Sequence, residues 1–237
     1  MPLAALDNPV RAARPGLLWP TVSTLLMLLV LLGLGTWQVR RLHWKEGILA
    51  RIAAAETAPP VPLPAAPEPF QKVRVTGQFL PGLMASYGVE VRDTPNGPLM
   101  GRHLIAPLAA EGRVILVDRG WAPEADHPAP PTVTVTVTGY VRPPERPRLL
   151  GVADNPGRRE FFTLDPAAIA ASLGLSNVAP FTLVALGPPA GPPVPAQHLP
   201  RPPNNHLSYA LTWYGLAIVL VIVFIGWARG RRMNDPV

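Results

Sequence analysis

Two stretches without a single charged residue, Leu17 to Trp37 and Leu207 to Ala228, constrain this chain more than anything else in it. Each has the roughly 20 residues an α-helix needs to cross the hydrocarbon core of a bilayer. In lipid a backbone must satisfy its own hydrogen bonds, so each stretch is expected to be a spanning helix. Leu25 to Leu32 is uniformly apolar, as lipid contact on all sides requires, and Pro20 falls in the first turns, where its missing N–H costs least. The alternative, a cleaved signal peptide, fits less well, because the first run exceeds the usual ~7–15 apolar residues.

The chain has 237 residues, of which 48% are hydrophobic and only 15% charged, too apolar a balance for an ordinary soluble domain. From Arg51 to Asn205 there are about 150 residues with no further run of spanning length, enough for one compact domain. The organisation read from the sequence is an N-terminal tail at 1–16, a first span at 17–37, a juxtamembrane helix at 38–56 and a proline-rich linker at 57–70. A β-rich domain at 71–186, a second proline-rich connector at 187–205, a second span at 206–228 and a basic tail at 229–237 follow. Both termini then lie on one side of the bilayer. Charge bias does not say which side: Arg11, Arg14, Arg229, Arg231 and Arg232 flank the termini, and Arg40, Arg41, Lys45, Arg51 and Arg201 flank the domain.

The net charge of +6 does not imply nucleic acid as a partner, because much of the excess lies beside the spans, where anionic lipid headgroups are nearer. With no cysteine, disulfides, thiolate catalysis and cysteine-held metal centres are excluded together.

Within the domain, Lys72 to Gly77 alternates, Val114 to Val117 is a short apolar run, and Thr132 to Val137 alternates between Thr and Val. Phe161 to Leu164 and Phe181 to Val184 are two more candidate strands. One short helix is signalled by Asp165 as N-cap, Pro166 at the first helical position, Ala167 to Leu173 as body and Gly174 as the stop. The fold class is therefore a membrane α+β protein, two terminal transmembrane helices flanking a mainly antiparallel sheet or partly closed barrel with a minor helix.

Signatures of catalysis are missing: there is no G-x-S-x-G, P-loop or dinucleotide glycine pattern, and no two of His43, His103, His127, His198 and His206 have the i, i+4 spacing of a helical zinc site. No enzyme is expected. Glu90, Arg92 and Asp93 read as a solvated charge cluster, and Asp118-Arg119 as structural pairing at a strand end. What remains is His206, with Asn204 and Asn205 at the mouth of the second span and Tyr209 and Trp213 after it. Seven residues nearly complete two turns, so His206 and Trp213 share a face about 10 Å apart along the axis, a length suited to a flat macrocycle. Trp37, Gln38, Arg41 and Trp44, where the first span ends, are expected at similar depth. His206 is then a candidate haem-iron ligand, Trp213 and Trp37 candidate ring contacts, and Arg40 or Arg41 a partner for carboxylates. An interfacial aromatic belt with snorkelling arginines is the other reading of the same residues.

These residues also carry a resemblance. Leu34-Gly35-Thr36-Trp37-Gln38-Val39-Arg40-Arg41-Leu42-His43-Trp44-Lys45 and Asn204-Asn205-His206-Leu207-Ser208-Tyr209-Ala210-Leu211-Thr212-Trp213-Tyr214-Gly215-Leu216-Ala217 are similar to the two hallmark segments of the Surfeit-locus family of cytochrome c oxidase assembly proteins. Weaker likenesses lie between, at Val73 to Phe79, Leu116 to Pro123, Gly139 to Arg142 and Asp154 to Pro156. Phe161-Phe162 departs from the family's W-Y pair, and Gly187 to Pro195 is unusually proline-rich. The resemblance implies a bacterial inner-membrane location, an extracytoplasmic domain with cytoplasmic termini, and a role in maturing subunit I of a haem-copper oxidase. It implies haem a as a transient cargo, carries the family's haem-associated His and Trp onto His206 and Trp213, and suggests subunit I and haem a synthase as partners. A scaffold that stabilises nascent subunit I without a cofactor is the alternative.

Overall fold

A computed structural model of the chain describes residues 17–95, 97–147 and 149–233. The tail at 1–16 and the end of the basic tail, 234–237, lie outside the described residues. Contacts divide the chain into two units, a helical one from residues up to Ile48 and from Pro202 onward, and a β unit from Leu49 to Arg201.

The helical unit is made by α1 (Leu18–Thr57), whose last turns belong to the β unit, and α3 (His206–Met233). Both are long and apolar enough to cross a membrane, and almost all of their apolar side chains face outward with nothing over them. That is what a helix bathed in lipid requires, since hydrocarbon is the solvent on every side but one. The first apolar run does not stop at the last uncharged residue. Val39, Leu42, Ile48 and Ile52 keep helical spacing among Arg, Lys and Glu, and α1 stays unbroken for 40 residues until Ala58-Pro59-Pro60 ends it.

Among the described residues the β unit has eight strands: β1 (Val61–Pro62), β2 (Lys72–Phe79), β3 (Ala85–Thr94), β4 (Gly97–Ala110), β5 (Arg113–Pro123), β6 (Thr134–Arg142), β7 (Glu160–Phe161) and β8 (Val178–Ala185). Five of them close into a ring, β2–β6–β8–β5–β4, with β4 returning to β2 through Gln78↔Ala109 and Phe79↔Leu108. Closure leaves no open edge on the barrel proper. Most pairings are antiparallel; β5–β8, β1–β2 and β3–β7 are parallel. The first half of β4 runs beyond the ring and forms a hairpin with β3.

Two cores lie on opposite faces of β4 and β5. Ala106, Leu108, Ile115 and Val117 point into the barrel with Val73, Val75, Phe181 and Leu183. Ile105 and Leu116 point outward, where Phe161, Leu164 and the helix α2 (Pro166–Ser172) cover them with Ile169 and Leu173. A strand buried on both faces reads as a continuous apolar run rather than an alternation, which is the form Val114 to Val117 takes. Helix α2 begins as its sequence indicates, with the Asp165 carboxylate accepting from Ala167 N–H at 3.0 Å and Pro166 at the first position, and Gly174 beyond its end adopts φ +68°.

Three strand expectations shift. The Thr/Val strand starts at Thr134 and runs on to Arg142, and β2 extends to Phe79. Phe161 to Leu164 contributes only its first residue to β7, because the Asp154 carboxylate accepts from the N–H groups of Phe162 and Thr163, at 2.6 and 3.0 Å, and turns the chain away.

The proline-rich segments are extended and tied to the barrel. Val61 and Pro62 pair with Val73 and Arg74, and Leu63 enters the core. On the return path Trp121 and Val194 exchange both backbone hydrogen bonds, at 2.9 and 2.7 Å. Gly120, at φ +117°, lets the Val194 carbonyl approach so closely that a Cβ there would strike it. Leu199 N–H then donates to Glu56 Oε2 at 2.9 Å, and Lys72 Nζ donates to the Glu56 carbonyl at 2.7 Å, joining the last turn of α1 to the β unit.

Candidate functional site

The residues buried within the helical unit fall in one stripe along each helix: Leu31, Gly35 and Gln38 on α1, Ala210 and Ala217 on α3. Their spacing, i, i+4, i+7 and i, i+7, is that of a helix-packing seam. Small residues matter here because association in lipid depends on close backbone approach rather than on a hydrophobic drive. Gly35 shows it directly: a Cβ at this position would sit 2.7 Å from the Tyr214 ring. Above that contact the Tyr214 hydroxyl and Thr36 Oγ1 are 3.2 Å apart. Thr36 gives its own proton to the Leu32 carbonyl at 2.8 Å, so Tyr214 is the donor across the pair.

One step further along the seam, Gln38 Oε1 meets His206 Nδ1 at 2.8 Å. Gln38 is only 9% exposed and His206 half-buried, at the first position of α3, where Asn204 Oδ1 accepts from the His206 N–H. The two contacts run in opposite senses along the helices, so α1 and α3 pack antiparallel. Trp37, the neighbour of Gln38 in sequence, is 55% exposed, and Trp44, seven residues on, shares its face. Between them Arg41 lays its guanidinium over the Trp44 ring, 3.9 Å from the centroid, and Trp213 is half-buried two turns along α3 from His206. The sequence singled out His206, Trp213, Trp37 and Arg41; the structure joins His206 to Gln38 and Arg41 to Trp44. The Gln38 contact spans 168 residues and has no local signature beyond an amide at the end of an apolar run.

Among the described residues no three His, Asp or Glu side chains gather where they could hold a bare ion. A single imidazole such as His206 would serve as ligand only to a group that brings its other ligands with it, as a macrocycle does.

A second titratable cluster lies in the β unit. Both oxygens of Asp118, fully buried, lie 3.0 Å from His103 Nδ1, and Oδ1 also accepts from Gly120 N–H at 2.9 Å. His103 Nε2 faces Glu90 at 3.3 Å, and Glu90 receives two hydrogen bonds from Arg92, at 2.8 and 3.0 Å. Burial disfavours the imidazolium, but Asp118 and then Glu90 outweigh it and raise the His103 pKa. The hydrogen bonds from Arg92 hold the Glu90 carboxyl below its ordinary value. Asp118 therefore does not pair with Arg119, as the sequence suggested; Arg119 donates instead to the carbonyls of Pro128 and Ala129. The cluster rivets β3, β4 and β5 together.

A pair of spanning helices packed into an antiparallel hairpin, with a closed five-stranded barrel in the sequence between them, defines a two-span membrane protein with a β-barrel domain. The SURF1 family model matches residues 25–218, and the chain belongs to the SURF1 family. It is similar to a SURF1-like protein of Rickettsia conorii, 32% identical over 88% of this chain and 90% of the relative, and to one of Monosiga brevicollis, 30% identical over 93% of both. It is also similar to human Surfeit locus protein 1, 31% identical over 78% of this chain and 69% of the human protein.

Proposed function

We propose that this chain is an assembly factor for an aa3-type haem-copper cytochrome c oxidase, assisting the delivery of haem a to subunit I. In this reading it is a carrier and not an enzyme. It resides in a bacterial inner membrane with the barrel extracytoplasmic and both termini cytoplasmic, and works beside subunit I and haem a synthase. The observation that carries the reading is His206, half-buried at the first position of α3 and held at one ring nitrogen by Gln38. Haem a bears a long isoprenoid tail and partitions into lipid, so a holding site belongs at the bilayer surface, where α3 begins. The exposed indole of Trp37 and the half-buried Trp213 supply apolar faces for a ring, and Arg41 supplies a cation for carboxylates at the water boundary. When bound, the group contributes its iron and nothing catalytic; the protein holds it in transit.

The test is the absorption spectrum of detergent-purified protein co-produced with a haem a synthesis pathway, for the unmodified chain, His206→Ala and Trp213→Ala. Stoichiometric haem a that disappears in His206→Ala is expected. A colourless unmodified protein that still co-purifies with subunit I would replace the carrier with a scaffold that stabilises the nascent subunit.

A further inference from the structure

We propose that Gln38 is a positioning residue that fixes His206 in the Nδ1–H tautomer, so that Nε2 is the atom presented to iron. The iron rests on the carrier reading above; the tautomer does not. The amide oxygen of Gln38 can only accept a hydrogen bond, so at 2.8 Å the proton lies on His206 Nδ1 and the lone pair of the neutral ring is left on Nε2. Among the described residues nothing bonds Nε2. A ligating histidine whose other ring nitrogen donates to a fixed acceptor is held in tautomer and orientation, and is made a better base.

The placement of Gln38 argues for this use. An amide buried to 9% exposure in a seam otherwise made of Leu31, Gly35, Ala210 and Ala217 is costly unless it is hydrogen-bonded. Among the described residues its side chain has one such bond, to His206. The helices do not need that bond to meet, because the Gly35 contact and the Thr36–Tyr214 hydrogen bond hold the same seam. Gln38 also belongs to the other helix, so the imidazole is set only while α1 and α3 are packed, and spreading the hairpin would release the acceptor and weaken the ligand. Holding and letting go are thereby linked to one hydrogen bond between the spans.

The experiment uses the full chain in nanodiscs, with 15N-labelled histidine, comparing the unmodified protein with Gln38→Leu and Gln38→Glu. Long-range 15N–1H correlation of His206 in the haem-free protein is expected to show the Nδ1–H tautomer alone, a tautomer mixture in Gln38→Leu, and restored Nδ1–H in Gln38→Glu. Titration with ferric haem is expected to bind about 10–100-fold more weakly to Gln38→Leu, with Gln38→Glu recovering the affinity. An Nε2–H tautomer in the unmodified protein, or one that Gln38→Leu leaves unchanged, overturns the positioning role. Equal haem affinity in Gln38→Leu overturns its consequence for ligation. An unmodified protein with the Gln38-dependent tautomer that binds no haem upholds the positioning and removes the carrier reading instead.

Discussion

Replacing Asp118 by alanine removes the buried carboxylate that receives His103 and the Gly120 N–H. His103 loses its principal counter-charge in a site where its side chain is only 22% exposed. Breaking a buried charged pair from one side costs about 3–5 kcal/mol. For a unit of this size 1 kcal/mol moves the melting temperature by roughly 2–4 °C, so a drop of roughly 6–20 °C is expected. The isosteric change Asp118→Asn isolates the charge and carries a pH signature. Because the folded-state pKa of His103 is raised, the stabilisation is fully present below the unfolded value of about 6.5 and is lost as pH rises through the folded value. The unmodified β unit should therefore become less stable as pH climbs above about 6.5, and Asp118→Asn should flatten most of that slope. Thermal unfolding of the full chain in detergent, followed by near-ultraviolet circular dichroism at several pH values, measures both. A slope as steep in Asp118→Asn as in the unmodified chain would refute the argument that this carboxylate sets the His103 charge.

Two further outcomes follow from close approaches. Gly35→Leu drives a side chain into the Tyr214 ring and should open the helix hairpin; cross-linking or spin-label distances between α1 and α3 should lengthen by several ångströms, and an unchanged distance would contradict the seam described. Gly120→Ala combines a φ of +117° with a collision against the Val194 carbonyl, and should cost about 2–3 kcal/mol, visible as a lower melting temperature and faster exchange of the Trp121 and Val194 amides.

The helices and the β character of the domain were legible because each rests on a local pattern: uninterrupted apolar runs, Thr/Val alternation, an Asp-Pro start and a glycine stop. The β3–β4 hairpin was not. Strands β3 and β4 carry Gly88, Gly101, Pro98 and Pro107, and a register shift between Tyr87 and Glu90, so their alternation is broken at the points where the sheet bends. A partly closed barrel was one expectation, but which strands close it left no trace, since Phe79 and Leu108 meet across a pairing that no single segment encodes. In the site, His206 stood out as a polar residue at the start of an apolar run. Gln38 was placed at the same depth, but nothing local marks it as the partner, and only packing sets it opposite the imidazole.

The order of strands in the ring has a consequence for biosynthesis. Strand β8 is the last in sequence, yet it sits between β5 and β6, antiparallel to one and parallel to the other. Until it emerges from the ribosome, those two strands each present an unpaired edge, the state in which β proteins associate wrongly. Its final residue, Ala185, is separated from the start of α3 at His206 by the proline-rich connector at 186–205. The barrel can thus be sealed before the whole of the second span has been made, and a chain truncated ahead of β8 would be left with a gap that a foreign strand can fill.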